Sequence, residues 1–550
     1  MEKNYVMEKN YVIGVDYGTD SARAILVDAG NGSVLAARTE AYPRWAEGRY
    51  SDAAADRFRQ HPKEYLEVLE TVLRDVVGKC PQPERIRGIS VDTTASTPCL
   101  TDENMTPLSL TPGFEEDPDA MFILWKDHTG MEESRTINAI CDGENLPYTC
   151  HSGYSYSAEN FWSKMLHVFR TNPRVAEKAW SAIECCDFVT ASLTGCHSLE
   201  ELKPGHCCIG AKWMWAEEWG GYPPASFLDR LDPRLKGLHL PQENYGCHEL
   251  AGTLCPEWAA KLGLGTDVVV GAGNVDSYSG AVGGGVRHKT IVMNLGTSSC
   301  YMAVMPKEKF GDRIIDGLFA QVDGSILPGQ VGFEVGLSAF GDTYAWVKKL
   351  VSWPLRELAE KQPELKGTLK AAEDRLIADL SEAAARLPQR EDAPLATDYL
   401  NGRRSPFCDN SLTGTLAGLK LGTTAPELFR ALVEATAFAT KAVMDHLKAG
   451  GVEIDRYVAV GGVAQKSPLV MQMLSDVLEA PISVSASKDS CALGAAIHAA
   501  VVAGLYPTVE AAEEALCPPI ATTYTPVPSA ILRARYRKYL ALTGLDEKLA

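Results

Sequence analysis

No Cys-x-x-Cys occurs among the 15 cysteines of the chain. The closely spaced thiol pairs that build structural zinc sites are therefore missing, and zinc has little support. Cys185-Cys186 and Cys207-Cys208 are adjacent pairs, best read as small buried apolar side chains. An odd cysteine count and no apolar stretch of signal-peptide length near the start fit reduced thiols in the cytoplasm. No apolar run approaches the roughly 20 residues that cross a bilayer. No Gly-x-x-x-x-Gly-Lys-[Ser/Thr] occurs, which excludes a P-loop as written. Positive charge is scarce: 53 Lys and Arg face 71 Asp and Glu, a net charge of −18. That balance repels nucleic acid and anionic membrane surfaces, so neither is an expected partner. An anionic ligand would have to be held locally, by N–H donors, a few basic residues or a metal. Low-complexity linkers are absent too. The start repeats MEKNYV in tandem, and its first six residues are expected to be dispensable.

What is present fits a globular protein with more than one core. The chain has 550 residues, 45% apolar and 23% charged, where a typical domain holds roughly 100–200 residues. Val12–Val15 and Ala24–Val27 read as strands. Glu64–Val77 carries a helical apolar stripe with Pro62 suited to its first turn. Arg87–Val91 reads as the next strand, ending at Asp92-Thr93-Thr94. Residues 105–265, rich in Trp, Pro and Gly, lack a clean period and read as insertions that shape a pocket. Asp267–Gly271 resumes the strand pattern and leads into Gly273-Asn274-Val275-Asp276.

A second unit restarts at Thr290. It carries a long helix over about Leu355–Leu387 and a capping box at Thr424 and Glu427 opening a helix to about Leu447. A strand at Tyr457–Val460 ends at Gly461-Gly462, and another helix starts at Ser467-Pro468. Asp489 is expected to cap a helix over Cys491–Val502, where Ala492, Gly494, Ala495 and Ala496 let a neighbour approach closely. Strands alternating with helices predict an α/β fold. The expected domains are 1–285 and 286–550, with a hinge near Gly283–Lys289.

One short phrase occurs twice, about half the chain apart. Asp16-Tyr-Gly18-Thr19-Asp20-Ser21 and Asn294-Leu-Gly296-Thr297-Ser298-Ser299 each join an apolar strand to another through a polar Gly-Thr turn. Asp16 aligns with Asn294, Gly18 with Gly296, Thr19 with Thr297 and Ser21 with Ser299. A single Gly-Thr-Ser turn is an ordinary hairpin. Two, with matched flanks, point to a phosphate gripped between two similar halves. Glycine permits the tight turn, and Thr19, Asp20 and Ser21 present N–H and hydroxyl donors. Asp16, at a strand end, is placed to hold Mg²⁺ through water, and Asp92 is a second candidate; the alternative for Asp16 is turn capping. Gly271-x-Gly273-x-x-Asp276 begins like a dinucleotide fingerprint, but an aspartate in the third glycine's place would repel a pyrophosphate.

Asp16–Ser21, Asp92–Thr94, Gly296–Ser298 and Gly461-Gly462 fall in the order of the phosphate and adenosine motifs of the actin, sugar-kinase and chaperone ATPase superfamily, which they resemble. Gly414-x-Leu416-x-Gly418-Leu419, followed by Glu427-Leu428, resembles the second signature of the FGGY carbohydrate kinases. Glu159–His167 matches their first signature more loosely. Tyr42–Trp45, Leu124–Thr129, Phe161–Val168, Ser338–Trp346 and Asn401–Pro406 are similar to phrases of that family's ribulokinase branch.

The resemblance implies two actin-like (ribonuclease H-like) α/β domains flanking a central cleft. It implies ATP and Mg²⁺ as cofactors and phosphorylation of ribulose, L-ribulose foremost, at the 5-hydroxyl, in arabinose catabolism. A kinase acting on an alcohol needs a carboxylate near the attacking hydroxyl, and the resemblance assigns that role to Asp276. A helix N-cap is the ordinary alternative for an aspartate there. Ala95, Lys212, Asp276 and Glu334 are implied to face the ketopentose. Gly18, Thr19, Asp20, Ser21, Gly296, Thr297 and Ser298 are implied to hold phosphates. Gly341, Gly461, Gly462 and Lys466 are implied on the adenosine side. Trp125 and Lys126 fall in the substrate-side segment without an assigned contact. A homodimer is one assembly the resemblance leaves open. The competing functions are another FGGY kinase, for xylulose or glycerol, and a non-kinase actin-like ATPase.

Overall fold

The computed structural model describes residues 9–549; the first six residues of the tandem start lie outside them. Two seven-stranded sheets organise the chain. The first is built from β1 (Tyr11–Tyr17), β2 (Ser21–Asp28), β3 (Val34–Ala41), β4 (Ile86–Thr93), β5 (Leu250–Thr253), β6 (Val269–Gly271) and β7 (Asn274–Val275). Its order is β5-β6-β4-β1-β2-β3, with β7 also paired to β4. The second is built from β8 (Lys289–Leu295), β9 (Ser299–Pro306), β10 (Ala320–Asp323), β11 (Gln330–Leu337), β12 (Ile454–Val460), β13 (Ile482–Ser485) and β14 (Ile520–Tyr524). Its order is β10-β11-β9-β8-β12-β13-β14.

Six strands of each sheet follow the same order, and β7 and β10 have no counterpart. In each sheet the leading strand pairs antiparallel with the hairpin partner that follows it. Its other edge pairs parallel with a strand reached through a crossover. The internal similarity seen in two turns therefore extends to whole sheets.

Eight helices position the site: α1 (Pro62–Gly78), α2 (Phe161–Thr171), α3 (His206–Lys212), α4 (Asp276–Gly283), α5 (Gly341–Val351), α6 (Ala425–Ala449), α7 (Gly462–Lys466) and α8 (Ser490–Val502). The apolar stripe of α1 buries Tyr65, Leu69, Val72, Leu73 and Val76 against the first sheet, as a period of 3.6 residues requires. The capping box of α6 forms, with the Thr424 N–H 2.9 Å from Glu427 Oε2. The long helix expected over Leu355–Leu387 is instead two, Trp353–Lys361 and Lys366–Ala385, with a 3₁₀ turn at Pro363–Leu365 between them. Pro363 cannot donate a backbone hydrogen bond and clashes with the preceding turn, so the helix breaks there.

The helix α8 comes from the C-terminal half but packs on the N-terminal sheet. It is buried nearly all round, and Ala492, Ala496, Ala499 and Ala500 join Val12, Ile25, Val292 and Val458 in one core shared by both sheets. Such packing requires bare backbone. A Cβ on Gly14 would meet Ala492 O at 1.8 Å, and one on Gly494 would meet Ser279 O at 1.8 Å. The small-residue run read in Cys491–Val502 thus serves a close three-way contact between β1, α4 and α8. Asp489 stands at the N-cap position of α8, but its carboxylate makes no cap. It pairs across the halves with Arg23 Nη1, 2.5 Å away.

Candidate active site

The two Gly-Thr turns face one cavity of about 170 Å³ between the sheets. Thr19 lines it from the first turn; Gly296, Thr297 and Ser298 line it from the second. The hairpins are not identical. Gly18 N–H donates to Ser21 O, whereas Gly296 N–H donates to Ser298 O, both at 3.0 Å. Asp16 sits opposite Arg23 in its hairpin, while Asn294 sits opposite Cys300. The second hairpin is thus one residue tighter, and Ser298, not Ser299, takes the place of Ser21 in closing the turn. A one-residue change of register reverses side-chain facing; Ser299 is accordingly buried, its hydroxyl 2.9 Å from the Tyr301 hydroxyl.

The second turn rests on the start of α5. Gly341 N–H donates to Gly296 O at 3.0 Å, and the N–H groups of Phe340 and Asp342 donate to Thr297 O at 2.8 and 3.0 Å. A Cβ on Gly341 would meet Gly296 O at 2.5 Å, and one on Gly461, whose φ is +94°, would meet Asn294 Oδ1 and Leu295 O at 2.8 Å. Both glycines are therefore close-approach positions against the second turn, while Gly462 opens onto free space. Lys466 ends α7, exposed, and is not among the cavity's lining residues. The first turn is held from the insertion. Trp125 Nε1 donates to Thr19 Oγ1 at 3.0 Å, and Gln60 Nε2 donates to Thr19 O at 2.8 Å. As an acceptor from Trp125, the Thr19 hydroxyl keeps its own hydrogen to donate. Asp20 turns outward, where its carboxylate accepts from Trp45 Nε1 at 2.7 Å.

Three carboxylates converge at the base of the cleft. Asp16 and Asp92 are direct neighbours on the parallel strands β1 and β4, and Asp276 opens α4 just after β7, which continues along β4. Asp92 is fully buried, its carboxylate facing the Asp16 carboxylate and the Ser279 hydroxyl. Burial, then the charges of Asp16 and Asp276, push Asp92 well above the usual carboxylate range. Burial also raises Asp16, against the opposing influence of its hydrogen bond with Asp92 and of the Arg23 charge. Two paired, buried carboxylates suit a small hard cation that keeps most of its waters and takes one or two carboxylates. Among the described residues no group of three or more His, Cys, Asp or Glu side chains is placed to hold a metal ion.

Asp276 lines the cavity. Its Oδ1 accepts from the Ser277 N–H at 2.6 Å. The helix N-cap is Val275, so Asp276 is the first helical residue. Burial and the Asp16 charge push its carboxyl up to about 7, with Ser277 N–H opposing and Glu334 adding. A carboxylate titrating near neutrality inside a cleft has the properties of a general base.

Glu334, on β11, and Ala95, beyond β4, also line the cavity. Lys212 stands one layer behind: it is buried, its Nζ 2.9 Å from Glu334 Oε2 and 4.1 Å from the centre of the Phe319 ring. Tyr278 hydroxyl donates to the same Glu334 oxygen at 3.0 Å. The loop after β4 is braced by Lys164 of α2, whose buried Nζ donates to Ser96 O at 2.5 Å and Leu124 O at 2.8 Å. One ammonium group thereby joins the neighbour of Ala95 to the neighbour of Trp125, and burial pulls it down to about 7.

Trp125, Glu159, Phe319 and Arg404 are among the further lining residues that had no assigned role in the sequence. Arg404 reaches in from the C-terminal half, its Nη2 3.4 Å from Glu159 Oε2. Burial opposes ionisation of Glu159, but Arg404 and His128 outweigh it and hold the carboxyl at about 2. Trp125, Glu159 and Arg404 fall in the phrases Leu124–Thr129, Glu159–His167 and Asn401–Pro406, whereas Phe319 carried no signal in the sequence.

Residues 11–283 match the N-terminal domain, and residues 291–503 the C-terminal domain, of the FGGY family of carbohydrate kinases. The chain is 41% identical to a ribulokinase of Vibrio parahaemolyticus, covering 98% of this chain and 97% of that relative. It is 36% identical to a ribulokinase of Shouchella clausii, covering 94% and 91%. Solved structures share the architecture. A xylulose kinase from Rhodospirillum rubrum superimposes with a TM-score of 0.75 at 22% identity, covering 98% of this chain and 99% of that one. A Plasmodium falciparum glycerol kinase with ADP gives 0.73 at 14% identity, covering 98% of each. With two repeated sheets, two turns on one cavity and a carboxylate poised between them, this chain belongs to the FGGY family of carbohydrate kinases.

Proposed function

We propose that the protein transfers the γ-phosphoryl group of ATP to the 5-hydroxyl of L-ribulose, giving ribulose 5-phosphate and ADP, in arabinose catabolism. The relatives over nearly the full chain, at 41% and 36% identity, are ribulokinases. The observation that carries the chemistry is Asp276: a cavity-lining carboxyl raised to about 7, on the same cavity as Thr19 and Thr297.

In this reading the sugar lies toward Ala95, Glu334 and Asp276, with Lys212 holding Glu334 in place. Asp276 accepts the proton of the 5-hydroxyl as that oxygen attacks the γ-phosphorus in line. The turns at Gly18–Ser21 and Gly296–Ser298 donate N–H and hydroxyl hydrogens to phosphate oxygens, with Thr19 oriented by Trp125. The nucleotide base lies toward Gly341, Gly461 and Gly462; Gly341 and Gly461 let their backbone pack against the second turn, and Gly462 opens onto free space. Asp16 and Asp92 would hold Mg²⁺, which supplies charge neutralisation for the phosphates when bound. Closure of the two halves over both substrates excludes water and so limits hydrolysis of ATP without sugar.

Incubation with ATP and L-ribulose, followed by mass-resolved product analysis, tests the assignment. A phosphopentulose bearing phosphate on C5, formed with one ADP per sugar, is the expected outcome. Strong turnover of xylulose or glycerol with none of ribulose would assign the site to a different sugar. ADP release independent of any sugar would remove the kinase reading.

A further inference from the structure

Among the described residues that line the cavity, one is a cation, Arg404, and three are carboxylates: Glu159, Asp276 and Glu334. The guanidinium is 5% exposed and carries five N–H donors and no acceptor. Its partners are sparse. Nη2 reaches Glu159 Oε2 at a long 3.4 Å, Nη1 reaches the weak acceptor Cys300 Sγ at 3.4 Å, and Nε has no partner. Its Cζ lies over two aromatic rings, 4.9 Å from the centre of Phe319 and 5.7 Å from that of Trp125. Both rings are apolar neighbours that offer the N–H groups no oxygen acceptor. A buried guanidinium with unfilled donors is unfavourable unless a ligand oxygen completes it.

The surrounding groups limit what that oxygen can be. The three carboxylates accept, so they match sugar hydroxyls acting as donors. Arg404 only donates: a hydroxyl oxygen could accept from it but would still need an acceptor for its own hydrogen, which the guanidinium does not offer, whereas a carbonyl oxygen is fully matched by donors. A ketose and the alditol formed by its reduction differ at one such oxygen, a carbonyl in the first and a hydroxyl in the second. Building on the ketopentose assignment, we propose that Arg404 donates to the carbonyl oxygen of the open-chain ketose and is the residue that ranks ketose above alditol.

The test compares L-ribulose with ribitol, in wild type, R404M and R404K. Sugar binding is measured by calorimetry without ATP, and KM for each sugar by coupled ADP release. In R404M, the Kd and KM for L-ribulose should rise at least about tenfold, the fold-change of losing one hydrogen bond from a charged donor. Those for ribitol should change less than about threefold. R404K keeps the charge without the planar fork and should fall between; it carries the same comparison if R404M does not fold. An equal rise for both sugars would reduce Arg404 to a general support of the cavity, and no rise for either would remove it from the substrate site; both results overturn the proposal. Wild type that fails to phosphorylate L-ribulose would instead sink the ketopentose assignment itself.

Discussion

Lys212 and Glu334 form a buried ion pair across the two halves of the chain, Nζ to Oε2 2.9 Å, with side chains 2% and 5% exposed. Neither charge is stable there alone. Lys212→Met leaves an uncompensated carboxylate on the cavity wall and should lower unfolding stability by about 3–5 kcal/mol. Adding Glu334→Gln should restore much of that loss. Denaturant melts of the two single variants and the double variant give the coupling energy, and simple additivity would show that the pair is not the relevant interaction.

Asp276→Asn keeps the shape of the side chain but removes the base. The expected fall in kcat is about 10²–10⁴-fold, with the fold retained by circular dichroism. A kcat within about tenfold of wild type, or ~1.4 kcal/mol in barrier, would assign the proton transfer elsewhere.

The pH profile follows from the same group. Asp276 is pushed up to about 7 in the folded protein, and it must be ionised to accept a proton. The kcat/KM for sugar should therefore rise with pH, roughly tenfold per unit well below 7, and level off above it. The sign for stability is the reverse. The folded state binds this proton more tightly than the unfolded chain, so stability attributable to Asp276 falls as pH rises from the ordinary aspartate range toward 7. A pH-independent kcat/KM between pH 5.5 and 8 would contradict the assignment.

Trp125→Phe removes the hydrogen bond that orients the Thr19 hydroxyl at the first turn. The loss of one such bond, about 0.5–1.5 kcal/mol, should lower kcat/KM for ATP by roughly 2- to 10-fold while the aromatic face toward Arg404 survives. Steady-state kinetics with saturating sugar measure it. An effect on sugar KM alone would mean that Trp125 serves the sugar rather than the turn.

Gly494→Val places a side chain where Ser279 O already stands, 1.8 Å from an ideal Cβ. The helices α4 and α8 would be forced apart, costing about 1–3 kcal/mol by overpacking. Because Asp276 opens α4, kcat should fall as well. Full stability and activity in the variant would show that the helices need no such close approach.

Local patterns were legible in the sequence where they depend on neighbours along the chain. The strand–turn–strand phrase at Asp16–Ser21 and its second copy became β1–β2 and β8–β9, and the Thr424–Glu427 capping box formed. Two local expectations met a competing force. Pro363 broke one long helix into two, and the Asp489 carboxylate paired with Arg23 instead of capping α8. The match between Ser21 and Ser299 also failed, because the second hairpin closes one residue earlier. That register is set by pairing over the length of β9 with β11 and not by the turn's letters.

Alternating strands and helices, two Gly-Thr turns and an aspartate after a short strand were properties of the chain itself, because backbone geometry and side-chain period act over a few residues. Only folding decided which acids would be poised. Asp16, Asp92 and Asp276 come from three separate segments, and Arg404 meets Glu159 from 245 positions away. A carboxyl's acidity is set by the water it loses and the charges within a few ångströms, and both are created only when distant strands come together.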